Sequence, residues 1–438
     1  MPNVQLITIG QYSTHFPPNG QTLQFGAQPG SHLLFLFPGG GGLIDWPPAL
    51  VYVTLSPDAA NTSTNTLSAA VGMGVGGYWC FPGYPNEPNP GSSSGVDCVV
   101  VPGANAVVMI VAGISAISLQ SVGLEGGTLG VWSAVSNSGP ACTNGCLCLG
   151  LESTGNFLVA YAAGGVALVV EYDTGASTWG TPVPIDGIVA GTNHQPLSAV
   201  IDENDTLHVV WTSLVGSVST KYYTQYSVAA GANTPIQLTT IPTTIPDPST
   251  SGNVGVGAVG AVALISTASK TLVVPYVQEA PAIIGHKYFA AALEISPYTS
   301  STPTVADVDP LTAIPAIPQT GGAVVVSSYS DGTTCTVFFS VTGLASGICQ
   351  IYAVSMAGNP VVVGLPVLVY DANVDDPPLG GGWITELSGL PFGSGYLAVF
   401  NALFLAANAF PGSPVFPTNG AYLASSSPVA IPLGNAFY

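Results

Sequence analysis

The chain has 438 residues, of which 6% are charged, and a formal net charge of −19. Its cations are Lys221, Lys270 and Lys287, with no arginine, which excludes nucleic-acid binding and attraction to anionic membranes, since both need clustered Lys/Arg. Hydrophobic residues at 47% and a mean hydropathy of +0.50 exclude disorder, and 54 glycines with 38 prolines favour many short strands and tight turns.

The N-terminus, MPNVQLITIGQYSTHF, has neither a basic start nor a continuous apolar core, so it does not read as a signal peptide. Strands are expected at residues 4–9 (VQLITI), 22–25, 32–37 and 50–55 (LVYVTL). Gly/Pro loops such as 38–42 (PGGGG) and 82–95 (PGYPNEPNPGSSSG) separate them. Gly91–Gly95 matches G-x-S-x-G, but a nucleophile elbow needs a strand before the serine and a helix after it. Here a Pro/Asn loop precedes and a strand follows, so a loop is the reading. Further strands fall at 98–101, 106–111, 116–122 and 129–135. The apolar run 104–119 is shorter than the ~20 residues a membrane helix needs and is broken by Gly113, so it reads as buried strands. This pattern predicts a jelly-roll-like β-sandwich domain over residues 1–147.

Seven cysteines fall in three groups: Cys80 and Cys98; Cys142, Cys146 and Cys148; Cys335 and Cys349. All seven are disulfide candidates. Cys335 and Cys349 bracket a hairpin that could bring them together, and Cys80 with Cys98 is a similar local pair. The middle cluster has no histidine nearby, which favours a disulfide and one odd thiol over zinc. Such pairs suit an oxidising compartment, and an extracellular or virion-surface location is expected.

From residue 148 a hairpin pattern recurs: 149–164, 197–213, 262–278, 324–341 and 384–402. In each, a short strand meets a polar or Gly-containing turn, and an apolar strand then closes on an aromatic. Those aromatics are Tyr161, Trp211, Tyr276, Phe339 and Phe400, spaced by 50, 65, 63 and 61 residues. Further strands follow most copies, as at 220–228 (TKYYTQYSV), 287–295 (KYFAAALEI) and 351–356 (IYAVSM). Four strands per repeat predict a β-propeller of about five blades over 148–438, with a sixth completed from the N-terminal region as an alternative. The fold class is therefore all-β.

Residues 171–179 (EYDTGASTW) place Asp173, Gly175, Thr178 and Trp179 much like the Ser-x-Asp-x-Gly-x-Thr-Trp box, with one extra residue before Thr-Trp. In this the chain resembles propellers of the sialidase-like, Asp-box type. The resemblance implies that the box is a structural turn. It also implies an arginine cluster, a tyrosine nucleophile and an acidic partner. Without arginine, an anionic-sugar hydrolase of that type is excluded.

Hydrolysis of a neutral glycan needs two carboxylates. Asp202, Asp205, Asp331, Asp375, Asp376 and Glu386 are candidates, mostly at hairpin tips where such residues make turns. His15, His32, His194, His208 and His286 are scattered; His194 and His208 flank one strand, with no serine or cysteine partner indicated for a triad. Asp371, Asn373 and Asp375 resemble the start of a calcium loop, but Asp376 stands where glycine is required and Gly382 where glutamate is. No other cofactor is expected. Tyr222, Tyr223 and Tyr226 could stack on sugars, though alternation puts Tyr222 and Tyr226 on one face and Tyr223 on the other. The expected role is a non-enzymatic structural or adhesion protein contacting copies of itself, other structural proteins or cell-surface glycans. The alternatives are a secreted glycoside hydrolase acting on neutral glycans and a lectin-like module.

Overall fold

In a computed structural model, the first 95 residues are described as five strands, and the chain from 96 to 425 is described with interruptions. The interruptions are 102–105, 113–115, 126–127, 130–132, 137, 143–146, 188, 190, 216–217, 239–258, 268–269, 280–287, 309–325, 344–347, 359, 372–381, 393–394 and 405–419. The described residues contain no helix. They form seven antiparallel sheets of four or five strands, following one another along the chain. The fold is an all-β propeller.

Sheet one holds Thr14–His15, Leu23–Gln24, His32–Pro38 and Val51–Leu55. Sheet two is built on Val96–Val101, Ala106–Ala112 and Ile117–Glu125, which absorb the membrane-like run as two strands. The five recurring hairpins open the remaining sheets. Leu147–Leu151 with Phe157–Ala163 starts sheet three, and Thr192–Ile201 with Leu207–Val215 starts sheet four. Ala263–Ile265 with Thr271–Glu279 starts sheet five, and Val326–Ser330 with Thr334–Gly343 starts sheet six. Gly382–Phe392 with Gly395–Phe404 starts sheet seven. The last sheet is completed by Gly420–Ser425 and then by the N-terminal strand, Asn3–Ile9, which pairs with it from Asn3↔Ser425 to Ile9↔Gly420.

Among the described residues the sheets number seven, where about five blades were expected, and the described strands of residues 1–147, expected as a sandwich, divide among sheets one and two, the first strand of sheet three and the closing strand of sheet seven. The expected boundary at 147/148 also crosses a shared core. Val99, Val108, Ile110, Ile117 and Leu119 of sheet two pack with Leu149, Phe157, Val159 and Tyr161 of sheet three.

This packing repeats down the chain. Each strand alternates its side chains between two faces, and from sheet three to sheet six both faces are buried, one against the preceding sheet and one against the next. Leu158, Ala160 and Val169 meet Leu207, Val209 and Trp211 between sheets three and four. Val210 and Tyr223 meet Leu272, Val274 and Tyr276 between four and five. Val273 and Ala292 meet Val337 and Phe339 between five and six, and Phe338 and Tyr370 meet Ile384 and Phe400 between six and seven. Burial on two faces explains near-continuous apolar strands and the scarcity of charge. The five closing aromatics all lie in these layers, each 1% exposed or less.

The cysteines do not form the expected local bridge. Cys335 lies opposite Met356 and Cys349 opposite Thr342, far apart along the same pair of strands. They also face different layers, Cys335 toward sheet five and Cys349 toward sheet seven. Both are buried thiols, pushed up to about 12 by burial. Cys142 and Cys148 are likewise in different layers. Cys80 and Cys146 lie outside the described residues, as does the side chain of Cys98.

Candidate functional site

The turns at the hairpin tips share one construction. In sheet three, Glu152 N–H donates to Asn156 O at 2.9 Å and Gly155 N–H to Glu152 O at 2.9 Å. In sheet four, Asp202 N–H donates to Thr206 O at 2.9 Å and Asp205 N–H to Asp202 O at 3.2 Å. Gly155 (φ 88°) and Asp205 (φ 57°) hold the left-handed position that closes the turn. The 50-residue interval between Tyr161 and Trp211 also relates Glu152 to Asp202 and Gly155 to Asp205. The acidic tip was thus legible at Asp202–Asp205, while its counterpart Glu152 was missed.

Around these two tips three carboxylates gather. Glu152 is buried, and its carboxyl is within hydrogen-bonding reach of Glu171 on Val166–Asp173. Asn156 Nδ2 donates to Glu171 Oε1 at 2.7 Å. From the next sheet, Asp205 accepts from Ser153 N–H at 2.6 Å and from Ser153 Oγ at 2.5 Å. Burial, then the charges of Glu171 and Asp205, push Glu152 up to about 7. Tyr226, buried in the layer between sheets three and four, is likewise pushed up by burial, then by Glu171 and Glu152. Glu171 and Asp205 are half-buried and Ser153 and Thr154 exposed, so the group is open to solvent on its outer side. A shielded carboxyl that keeps its proton near neutrality, beside other carboxylates, is equipped for general acid catalysis.

Two histidine-centred groups lie deeper. Asp202 Oδ1 accepts from Asn204 N–H at 2.8 Å and Thr206 N–H at 2.9 Å, while Oδ2 is 3.2 Å from His208 Nε2. His208 Nδ1 is 2.7 Å from Tyr223 OH, to which Gln225 Nε2 donates at 3.0 Å. His208 is wholly buried, so this chain seals the layer between sheets four and five. The second group answers the missing serine partner. His194 Nδ1 is 2.7 Å from Asp186 Oδ2, and Nε2 is 3.1 Å from Ser213 Oγ. The order is that of a nucleophilic triad, but Ser213 has no exposed surface, and the buried Trp211 ring lies 5.2 Å from His194. This chain ties the connection at Asp186 to sheet four. His194 and His208 sit at opposite ends of their strand pair and are not neighbours.

The remaining candidates disperse. Asp331 caps its own turn, accepting from Thr333 N–H at 2.8 Å and Thr334 N–H at 2.7 Å. Asn373, Asp375 and Asp376 lie outside the described residues, as does the side chain of Glu386; Asp371 accepts from Gln350 Nε2 at 2.7 Å. Among the described residues no group of three or more His, Cys, Asp or Glu could hold a metal ion. Tyr223 and Tyr226 are buried in different layers and Tyr222 stacks on Trp211 at 4.8 Å, so these rings are committed to packing rather than free for sugars. In the box, Asp173 Oδ1 accepts from Ala176 N–H at 2.9 Å, and Trp179 Nε1 donates to Ser136 Oγ at 2.8 Å; it is a turn, as expected.

No protein-family description matches the sequence, and no curated protein matches it. Solved structures do match. An ulvan lyase, described as a new family of polysaccharide lyase, covers 95% of this chain with 93% of its own at 8% identity and a TM-score of 0.54. The same enzyme bound to -[GlcA(1-4)Rha3S]- gives 95%, 94%, 8% and 0.54. The polysaccharide lyase Uly1 is similar over 96% of this chain and 92% of its own, at 10% identity and a TM-score of 0.47. The ulvan lyase that shares the fold is described as a polysaccharide lyase, the finding that overturns the expectation of a non-enzymatic structural or adhesion protein.

Proposed function

We propose that the chain is a glycan-processing enzyme of the glycoside hydrolase class, with Glu152 as proton donor and Asp205 as its carboxylate partner. The observation that carries this reading is the convergence of Glu152, Glu171 and Asp205 from two neighbouring sheets, with Glu152 the most shielded. Glu152 donates its proton to the glycosidic oxygen as the bond to the anomeric carbon breaks. Asp205 supports the positive charge that develops there, water adds to that carbon, and its proton restores Glu152. The shared fold with an ulvan lyase supports a glycan as substrate class. The cation inventory supports an uncharged one. The sequence has three lysines and no arginine, Lys221 is buried, and Lys270 is paired with Glu203.

The test is reducing-sugar release from a panel of neutral polysaccharides, with Glu152→Gln as the variant. The expected result is turnover of one member and a loss of about 10²–10⁴-fold in the variant. No turnover on any member, or an unimpaired Glu152→Gln, overturns the reading.

A further inference from the structure

We propose that Glu171 holds the acid proton on Glu152 and that Asn156 positions Glu171 to do so, making Thr174–Asn156–Glu171–Glu152 the device that sets the pH range of the site. This rests on the reading of Glu152 as proton donor and adds to it the residues that govern when the donor is armed.

The geometry runs from the surface inward. Thr174 donates to Asn156 Oδ1 through its backbone N–H at 3.1 Å and its hydroxyl at 3.2 Å. With the carbonyl end of the amide so occupied, the Asn156 NH₂ must face the other way, where it donates to Glu171 Oε1 at 2.7 Å. An amide NH₂ can only donate, so that oxygen of Glu171 serves as an acceptor. Two carboxyl groups in contact share a proton rather than both ionising. The bond from Asn156 is stronger to a charged acceptor than to a neutral one, which biases the shared proton toward the Glu152 side. Burial adds to this, since Glu152 is the more enclosed of the two.

The charged and titratable groups around Glu152 come from three elements. They are Glu171 on its own sheet, and Asp205 and Tyr226 on the next sheet. Both oxygens of Asp205 are held by Ser153, and Tyr226 is buried and itself pushed up. Glu171 is therefore the neighbour in direct reach of Glu152, and Asn156 is a positioning residue because it acts through Glu171.

The experiment is the pH profile of kcat/KM on the neutral glycan that the wild-type chain turns over. Glu171→Gln is expected to move the alkaline limb to lower pH by about one unit. Asn156→Ala is expected to move the same limb in the same direction by a smaller amount. Thr174→Val, at an exposed position, repeats the test if either inner variant fails to fold. An alkaline limb that stays in place in these variants, while Glu152→Gln is inactive, overturns the role of Glu171 and Asn156 and leaves the acid assignment standing. Full activity of Glu152→Gln overturns the acid assignment itself.

Discussion

Asp205 of sheet four accepts both the backbone N–H of Ser153, at 2.6 Å, and its hydroxyl, at 2.5 Å, across the gap to sheet three. The same linkage recurs at the next two tips. Lys270 of sheet five reaches back to Glu203 of sheet four, and Gly332 O of sheet six accepts from Ser266 N–H at 2.8 Å and Thr267 N–H at 3.2 Å of sheet five. In every case the residue reaching back holds a positive φ, at 57° for Asp205, 47° for Lys270 and 91° for Gly332. The tips are therefore blade-to-blade fasteners as well as turns. Asp205→Gly removes two hydrogen bonds but relieves the backbone, whereas Asp205→Ala removes them and keeps the unfavourable φ. Thermal unfolding should therefore rank wild type above Asp205→Gly and Asp205→Gly above Asp205→Ala. The two variants should be separated by about 1 kcal/mol. An Ala variant as stable as Gly would count against the left-handed turn.

Stability should also peak on the acid side of neutrality. Burial, then Glu171 and Asp205, raise Glu152 from 4.5 to about 7 in the folded chain. The folded state thus binds the Glu152 proton more tightly than the unfolded one, and the stability this adds is full below about 4.5 and lost as pH rises toward 7. Asp202 behaves in the opposite sense. Burial acts to raise it, but hydrogen bonds from His208, Thr206 N–H and Asn204 N–H outweigh this and bring it below 3.8. Its contribution is present above 3.8 and lost as pH falls below that. The unfolding midpoint should therefore be highest near pH 4–5. Glu152→Gln should flatten the decline toward pH 7, which amounts to on the order of 1–3 kcal/mol. A decline that persists unchanged in Glu152→Gln would assign it to other groups.

Much of this fold was legible because propeller strands are apolar on both faces and each hairpin closes on a large aromatic. Tyr161, Trp211, Tyr276, Phe339 and Phe400 mark five second strands at their places in the core. Sheets one and two escaped the count because the main strands of sheet two, VDCVVV, AVVMIVA and ISLQSVGLE, carry no aromatic, and the strands of sheet one, though they hold Phe35, Phe37 and Tyr52, are separated by long Gly/Pro loops. The pairing of Asn3–Ile9 with Gly420–Ser425 joins chain ends more than 400 residues apart, and no local pattern encodes it. Within the site, Asp205 stood out in an acidic run, whereas Glu152 was hidden in the less charged LGLESTGN. Only superposing the two tips makes Glu152 the counterpart of Asp202. Glu171 could not be read at all, because it comes from the third strand of its sheet and meets Glu152 through pairing opposite Leu158.

The thiols of Cys335 and Cys349 should be silent until the chain unfolds. They face different layers and are both wholly buried, and burial pushes each up to about 12. A reagent that attacks thiolates should leave these two unlabelled in the folded chain and label both in denaturant. Peptide mapping after differential alkylation identifies them. Recovery of a Cys335–Cys349 disulfide peptide from native protein would contradict the strand register.

Trp211 offers a test of what packing alone contributes in the layer between sheets three and four. It has no exposed surface, stacks on Tyr222 at 4.8 Å with 20° between the rings, and lies 5.2 Å from His194. Its Nε1 is the one buried side-chain nitrogen or oxygen among the described residues that has no hydrogen-bond partner. Replacing it with phenylalanine therefore forfeits contact area but no hydrogen bond, and removes the cost of a buried donor left unmade. Trp211→Phe should cost no more than about 2 kcal/mol, while Trp211→Ala, which opens a cavity against Val209 and Leu158, should cost about 3–5 kcal/mol. Chemical denaturation of the two variants decides it. A Phe variant as damaged as Ala would mean that the indole N–H is engaged in the folded protein and that its bond, not its volume, anchors the layer.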